Sequence, residues 1–457
     1  MHLHILGLSG TFMSALALLA REAGFHVTGS DAHCYPPVSD LLATHGIAWT
    51  EGYEDSTQAL IADCVIVGNA MKRGMPVIEA ILDAKKAYTS GPQWLAEHIL
   101  PRYRVLAVAG THGKTTTTSM LAFILEQSGL QPGFLIGGVS SDFETSARLG
   151  LGQWFVIEAD EYDSAFFDKR PKFIHYRPDI AILNNLEFDH ADIYADLPAI
   201  QQQFHYFLRT IPRSGLVIKP RDDVALNEVL LRGQYSHVED LALTGDATWR
   251  AELLDETGQS FRVWHAGQSV AEVHWSLIGR FNVENGLAAL AASVRAGVKP
   301  VVAAMALEQF TPVKRRLEVK FNQHGVTVYD DFAHHPTAIG KTLHALKQSQ
   351  RHRRILVVLE FASYTMRTGV HVAEMAQALA IADKVYVLNP SEFSLADMAK
   401  DWLCPYQALP SAMAIVNVVV DAAQAGDAVL VMSNRGFDNI HQQLIAGIDA
   451  KFTLNAM

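Results

Sequence analysis

One pattern constrains this chain more than any other. An apolar strand runs into a short turn of small or acidic residues and then into a helix, three times over. The first copy is residues 2–6, the turn Gly7-Leu8-Ser9-Gly10-Thr11 and a helix to about Ala23. The second is 105–109, then Gly110-Thr111-His112-Gly113-Lys114-Thr115 and a helix to about Gln127. The third is 326–329, then Asp330-Asp331-Phe332-Ala333-His334-His335-Pro336 and a helix to about Lys347. Further apolar runs at 64–67, 155–157, 180–183, 355–359, 384–388 and 428–432 alternate with helical stretches. Apolar strands spaced by helices are covered on both faces, so the pattern predicts parallel sheets in an α/β protein.

The 457 residues exceed what one such unit needs, and the pattern breaks near Pro101 and Pro312. The expected division is a Rossmann-like domain at 1–102, a central P-loop ATPase-type domain at 103–312 and a second Rossmann-like domain at 313–457. Residues 246–278 read differently. Alternation such as Glu272-Val273-His274-Trp275, with turns at Thr257-Gly258 and Ala266-Gly267, predicts a small antiparallel addition to the central domain.

Composition removes several classes of function. With 37 basic against 48 acidic residues the chain carries −11 at pH 7, which repels phosphate backbones and argues against a nucleic-acid partner. The three cysteines, Cys34, Cys64 and Cys404, have no CxxC spacing. Such a set suits a reducing cytoplasm better than a disulfide scaffold or a Cys-based zinc site. No Lys or Arg precedes the apolar start, Arg21 being the first, so a buried strand is expected there rather than a signal peptide. Every long apolar stretch is interrupted, so membrane insertion is not expected and a cytoplasmic location is.

The strongest chemical signal is Gly110-Thr111-His112-Gly113-Lys114-Thr115-Thr116. A glycine turn between a buried strand and a helix aims backbone N–H groups and the helix dipole at phosphates. Lys114 would neutralise β/γ charge and Thr115 would ligate Mg²⁺, although Val108 occupies the place of the usual first glycine. Glu158-Ala159-Asp160-Glu161 follows the strand at 155–157, and Asn185…Asp189-His190 follows the one at 180–183. In parallel sheets ligands gather at the carboxyl ends of strands, so these groups reach the same edge as the glycine turn. Gly7-x-x-Gly10 with Asp31 lacks the GxGxxG spacing of dinucleotide binders and suits any diphosphate, a nucleotide sugar included. Asp330, Asp331, His334 and His335 close the third strand, where Asp331 is equally a metal ligand or a helix cap. Lys314-Arg315-Arg316 at the joint reads as a solvated patch or an anion clamp, and Phe166-Phe167 as packing.

In this order the motifs, together with Asn282…Asn285, resemble those of the Mur ligases, the ATP-dependent amide-forming enzymes of murein synthesis. Gly10-Thr11-Phe12-Met13, Tyr35-Pro36-Pro37, Gly68-Asn69-Ala70-Met71, Ser90-Gly91-Pro92-Gln93-Trp94, Ala165-Phe166-Phe167-Asp168-Lys169-Arg170 and Met432-Ser433-Asn434 resemble one branch of that family. That branch joins the murein tripeptide L-Ala-γ-D-Glu-meso-diaminopimelate to UDP-N-acetylmuramate. The resemblance implies an ATP site at Gly110, Thr111, His112, Gly113, Lys114, Thr115, Thr116, Asn282, Asn285, Arg316 and Asp331. It implies catalysis by Lys114, Glu158, His190 and Arg316, with one Mg²⁺ on Thr115 and Glu158 and a second on Glu158 and His190. Gly7, Ser9, Gly10, Thr11, Asp31 and Asn69 would line the UDP-sugar site, and His334 and Arg367 would meet the peptide.

The chain departs from the family at Phe281, where a His is usual, at Ala362 in place of an arginine, and at Arg435 and Asp438 in place of glycines. No lysine lies between Lys172 and Lys219, and His205 falls near the spacing of the carbamylated lysine that several relatives carry, so no lysine carbamate is expected. Two other readings are an enzyme adding L-alanine alone to UDP-N-acetylmuramate and, from a different class, a P-loop switch that hydrolyses ATP to change partners.

Overall fold

In the computed structural model the described residues are 1–35, 38–362, 364–367, 369–389 and 395–455; Pro36 and Pro37 lie outside them. Each copy of the strand–turn–helix pattern seeds its own sheet. The first sheet has five parallel strands in the order Ala48–Glu51, His26–Asp31, His2–Leu6, Cys64–Val67, Tyr88–Ser90. Alternate residues of His2–Leu6 enter opposite layers: Leu3 and Ile5 pack with Leu16 and Leu19, while Leu6 packs with Val67, Ile78 and Ile81. That two-sided burial is why Leu3, Ile5 and Leu6 are all apolar although they face opposite layers.

The central sheet has ten strands. Arg104–Ala109, which feeds the glycine turn, lies in its interior between Ile180–Leu183 and Trp154–Glu158. Both neighbours run parallel to it, with Ala109 opposite Leu183 and Val108 opposite Glu158. Their carboxyl ends therefore stop at one edge and deliver Gly110, Asn184 and Glu158 side by side. The expected antiparallel addition is present as a continuation of this sheet rather than a separate unit. Trp249–Leu253 pairs parallel with His237–Ala242 and antiparallel with Ser260–His265, which pairs in turn with Gln268–His274. The last hairpin turns through Ala266 and Gly267, both at positive φ (47° and 79°), the geometry that matches strand twist.

The third sheet runs Glu318–Gln323, Val326–Asp331, Asp427–Met432, Arg354–Leu359, Lys384–Leu388, Tyr406–Leu409, with only its first pair antiparallel. It corrects one expectation. Asp330 and Asp331 are the last residues of the strand, opposite Val431 and Met432, and not part of the turn. The cap of the following helix, Pro336–Gln348, is His335, whose Nδ1 accepts from the Thr337 N–H at 3.3 Å. Asp331 instead fixes the turn, accepting from the Leu317 and Ala333 N–H groups at 2.6 and 2.8 Å. No helix among the described residues is long and apolar enough to cross a membrane.

The first sheet also buries a small polar cluster around His4. His4 is 1% exposed, with Nδ1 2.8 Å from the Thr28 hydroxyl and Nε2 3.0 Å from that of Ser30. Burial, with the charge of His2, holds its pKa down at about 4. The unfolded chain takes up this proton near pH 6.5 and the folded chain only near 4, so stability is full above pH 6.5 and falls as pH drops through that window. The expected loss is on the order of 3 kcal/mol. Urea unfolding across this range should show the slope in the parent chain and a flattened one in His4→Gln; equal slopes would contradict the assignment.

Candidate active site

The glycine turn takes its shape from its neighbours. Gly113 caps the helix Lys114–Gln127 at φ +80°, where a Cβ would lie 2.5 Å from Asn285 Oδ1 and 2.9 Å from Asn184 Nδ2. Gly110 sits at φ +131°, pressed against the backbone of Asn184 and Asn185. Asn185 pins the loop, its carbonyl accepting from the Thr111 N–H at 3.1 Å and its Oδ1 from the His112 N–H at 2.7 Å. Beneath it the Asn285 amide oxygen accepts from the Thr117 hydroxyl at 3.1 Å, and Asn184 donates to the same hydroxyl at 2.9 Å. This buried polar network ties the turn to the helix Arg280–Arg295.

Lys114 leaves the helix into a nest of carboxylates. Its Nζ donates to Glu161 Oε2 and to the Gly110 carbonyl, both at 2.7 Å, and lies 3.8 Å from Asp160 Oδ1. Burial opposes this charge, but Glu161 and Asp160 outweigh it and raise the ammonium above its ordinary pKa. Glu158 accepts from the Thr115 hydroxyl at 3.1 Å and from the Gly137 N–H at 2.7 Å; burial pushes its carboxyl up while Lys114 pulls it down. Arg316 reaches over from the joint to donate to Thr115 Oγ1 at 3.2 Å, its guanidinium 4.9 Å from the centre of the Phe332 ring.

The His190 ring turns toward the acidic run. Its Nε2 lies 3.3 Å from Glu161 Oε1, and ligand atoms of Asp160, Glu161 and His190 fall within 4.8 Å of one another, a group that does not include Glu158. Burial lowers the His190 pKa, but the Glu161 hydrogen bond reverses this and carries it to about 9.

A cleft of about 1080 Å³ gathers most of the residues expected to meet ATP: Thr111, His112, Gly113, Lys114, Thr115, Thr116, Asn282, Asn285, Arg316 and Asp331. Gly110 stays behind the turn and does not line it. Asn282 lines the cleft but donates to the Ile278 carbonyl at 2.8 Å. Glu158, His190, Phe281, His334 and Arg435 share the same walls. The His334 ring meets the Phe332 carbonyl at 3.0 Å, and burial lowers its pKa. Arg367 lines neither this cleft nor its neighbour; it ends the short helix Tyr364–Arg367, whose Thr365 accepts from the Ala191 N–H at 3.2 Å. Of the basic run at the joint, Arg315 is committed to the Ser433 and Arg435 carbonyls, at 2.6 and 2.8 Å. Ala362 is buried, His205 lies beside the Tyr235 ring, and Asp438 takes the left-handed conformation (φ 49°) that a glycine would adopt freely.

A second cavity of about 600 Å³ holds Gly7, Ser9, Gly10, Thr11, Asn69 and Asp31, all six residues expected to meet the nucleotide sugar. Asp31 also closes the loop, its Oδ2 accepting from the Ser9 N–H at 2.8 Å. Thr11, Gly137, Glu158 and Asp160 line both cavities, so the two spaces adjoin.

Comparison with known proteins decides the family. Successive profiles match along the chain: the catalytic domain of the Mur ligase family at 2–103, the Mur ligase middle domain at 108–293 and the glutamate ligase domain at 315–435. The chain belongs to the Mur ligase family. It is an ATP-dependent ligase that forms a C–N bond. It is 49% identical, over 99% of both chains, to the UDP-N-acetylmuramate–L-alanyl-γ-D-glutamyl-meso-2,6-diaminoheptandioate ligase of Escherichia coli. A UDP-N-acetylmuramate–L-alanine ligase of Desulforapulum autotrophicum is 33% identical over 85% of this chain and 83% of its own length. The crystal structure of a murein peptide ligase from Psychrobacter arcticus matches with TM-score 0.77 and 44% identity, covering 98% of each chain.

The sequence places the acidic run at 158–161 and the segment at 185–190 on the ligand edge but assigns no individual role to Asp160, Glu161, Asn184 or Glu187. The signal for Glu161 was present: Lys114 needs a counter-charge, and three carboxylates stand within four residues after a strand. Glu161 is 2% exposed and joins Lys114 to His190, so Glu161→Gln leaves a buried ammonium without its nearest partner. Breaking a buried pair in this way should cost about 3 kcal/mol of stability, read by urea unfolding at pH 7. An unchanged midpoint would mean that Glu161 is not the counter-ion.

Proposed function

We propose that this ligase joins UDP-N-acetylmuramate to the tripeptide L-Ala-γ-D-Glu-meso-diaminopimelate, releasing ADP and phosphate. The observation that carries this reading is the 49% identity over 99% of both chains to a ligase of that name, against 33% for the L-alanine ligase. The adjoining cavities support it, because they bring a phosphate-binding turn and a nucleotide-sugar loop to one shared wall.

In this reading Gly7, Ser9, Gly10, Thr11, Asp31 and Asn69 receive the UDP-sugar, and its carboxylate points along the cavity toward Glu158. The glycine turn, Lys114 and Arg316 receive the triphosphate, with Asn282, Asn285 and Phe281 toward the base and Asp331 toward the ribose. A carboxylate is a poor acyl donor, so the γ-phosphoryl group passes to it first and gives an acyl phosphate, with ADP as the leaving group. The tripeptide amine then attacks the acyl carbon near His334, and phosphate leaves. Two anions must meet in the first step, and Lys114 and Arg316 offset the charge that develops. The donor set suits Mg²⁺: Thr115 with Glu158, and Asp160 with Glu161 and His190, are hard oxygen ligands and an imidazole. Bound there, Mg²⁺ would supply further neutralisation of phosphate charge.

Lys114→Ala should fold but lose on the order of a hundred- to thousand-fold in ADP release, the usual effect of removing one preorganised charge. Near-normal turnover would reject the role given to the turn. Mass spectrometry of products from UDP-N-acetylmuramate, ATP and Mg²⁺ with either tripeptide or L-alanine tests the acceptor. The tripeptide adduct is expected as the main product, and an alanine adduct alone would favour the other reading.

A further inference from the structure

The smaller cavity carries, beside the wall it shares with the larger one, a lysine that the mechanism above does not use. Lys172 opens the short 3₁₀ helix Lys172–His175, directly after the hairpin strands Asp163–Ala165 and Asp168–Pro171. The hairpin fixes its place. The Lys172 N–H donates to the Tyr162 carbonyl at 3.0 Å, and the adjacent Phe173 is fully buried. Asp168 braces the hairpin from within, accepting from Arg170 at 2.8 Å with the His175 ring 3.0 Å away. The Lys172 side chain is only 13% exposed, its Nζ 2.6 Å from Asp160 Oδ2 and 5.8 Å from the centres of the Phe12 and Tyr162 rings.

Asp160 is bracketed by two ammonium groups, Lys114 from the larger cleft at 3.8 Å and Lys172 from the smaller cavity at 2.6 Å. Among the described residues that line the smaller cavity, Lys172 is the one cation, while Asp31, Glu158 and Asp160 are all acids. A nucleotide sugar that carries a carboxylate brings further negative charge into that space. Toward the shared wall, where the carboxylate must lie to meet the phosphate, only Lys172 offers compensation from this side. An ammonium has three donors, and Asp160 accepts one of them.

We infer that Lys172 binds the carboxylate of the sugar-borne acid and positions it against the γ-phosphate, so that it selects acid-bearing nucleotide sugars over neutral ones. This rests on the proposed function, since it takes UDP-N-acetylmuramate as the occupant of the smaller cavity. The test is calorimetric binding of UDP-N-acetylmuramate and of UDP-N-acetylglucosamine, which has the same diphosphate without the acid, to the full chain and to Lys172→Met, Lys172→Arg and Lys169→Met. The parent chain should prefer the acid. Lys172→Met should lose roughly 10- to 100-fold for the acid alone, the effect of one charge-assisted hydrogen bond, with the neutral sugar unchanged. Lys172→Arg should keep most of the preference. Lys169→Met, on the same hairpin but 70% exposed, should keep all of it. A Lys172→Met chain that still prefers the acid overturns the inference. So does an equal loss for both ligands, which would assign Lys172 to the diphosphate or to folding. A parent chain that binds neither sugar removes the proposed function itself, and this inference with it.

Discussion

The Lys114 ammonium set among Glu158, Asp160 and Glu161 is the interaction on which the rest of the site depends. Three carboxylates within four residues repel one another and resist burial, so they stand together only where cations meet them. Those cations come from separated parts of the chain: Lys114 from the glycine turn, Lys172 from the 3₁₀ helix, His190 from the loop after Ile180–Leu183 and Arg316 from the joint. The local charge balance therefore closes only when distant segments are in place together. A site built this way is assembled by the whole fold rather than by one loop.

Sheet order does most of that assembly. With the Arg104–Ala109 strand between two parallel neighbours, the turn, the acidic run and the Asn184-Asn185 pair stop at a common edge. The third unit then locks over this edge through Glu187, which accepts from the Thr337 hydroxyl at 2.6 Å and lies 3.2 Å from His112 Nε2. The His335 ring adds a contact to the Phe188 carbonyl at 3.3 Å. Arg316 and Asp331 thereby belong to the same cleft as Lys114, although some two hundred residues separate them in sequence.

Much of this was legible before any coordinates. Strands buried on both faces announce themselves as apolar runs, and Gly110 and Gly113 mark a turn because their backbone angles and crowded surroundings admit no side chain. The motif order carried the family. What the sequence hid were partnerships across space. Asp331 looked like part of a turn because strand pairing with Met432 leaves no local trace. The contact of the His190 ring with Glu161 is another such partnership, since tertiary geometry chooses among acids a few residues apart. His4 passed as unremarked because nothing in a strand's own sequence reveals that two hydroxyls on the next strand will meet its ring.

The central claim is that a sugar-borne carboxylate in the smaller cavity meets the terminal phosphate of ATP in the larger one, across the wall formed by Glu158 and Asp160. The most direct measurement uses UDP-N-acetylmuramate labelled with ¹⁸O in its carboxylate and follows the phosphate released during ligation. Direct phosphoryl transfer between the two cavities requires one labelled oxygen to appear in that phosphate. Phosphate released without label would mean that the carboxylate and the triphosphate never react with one another, and would contradict the account.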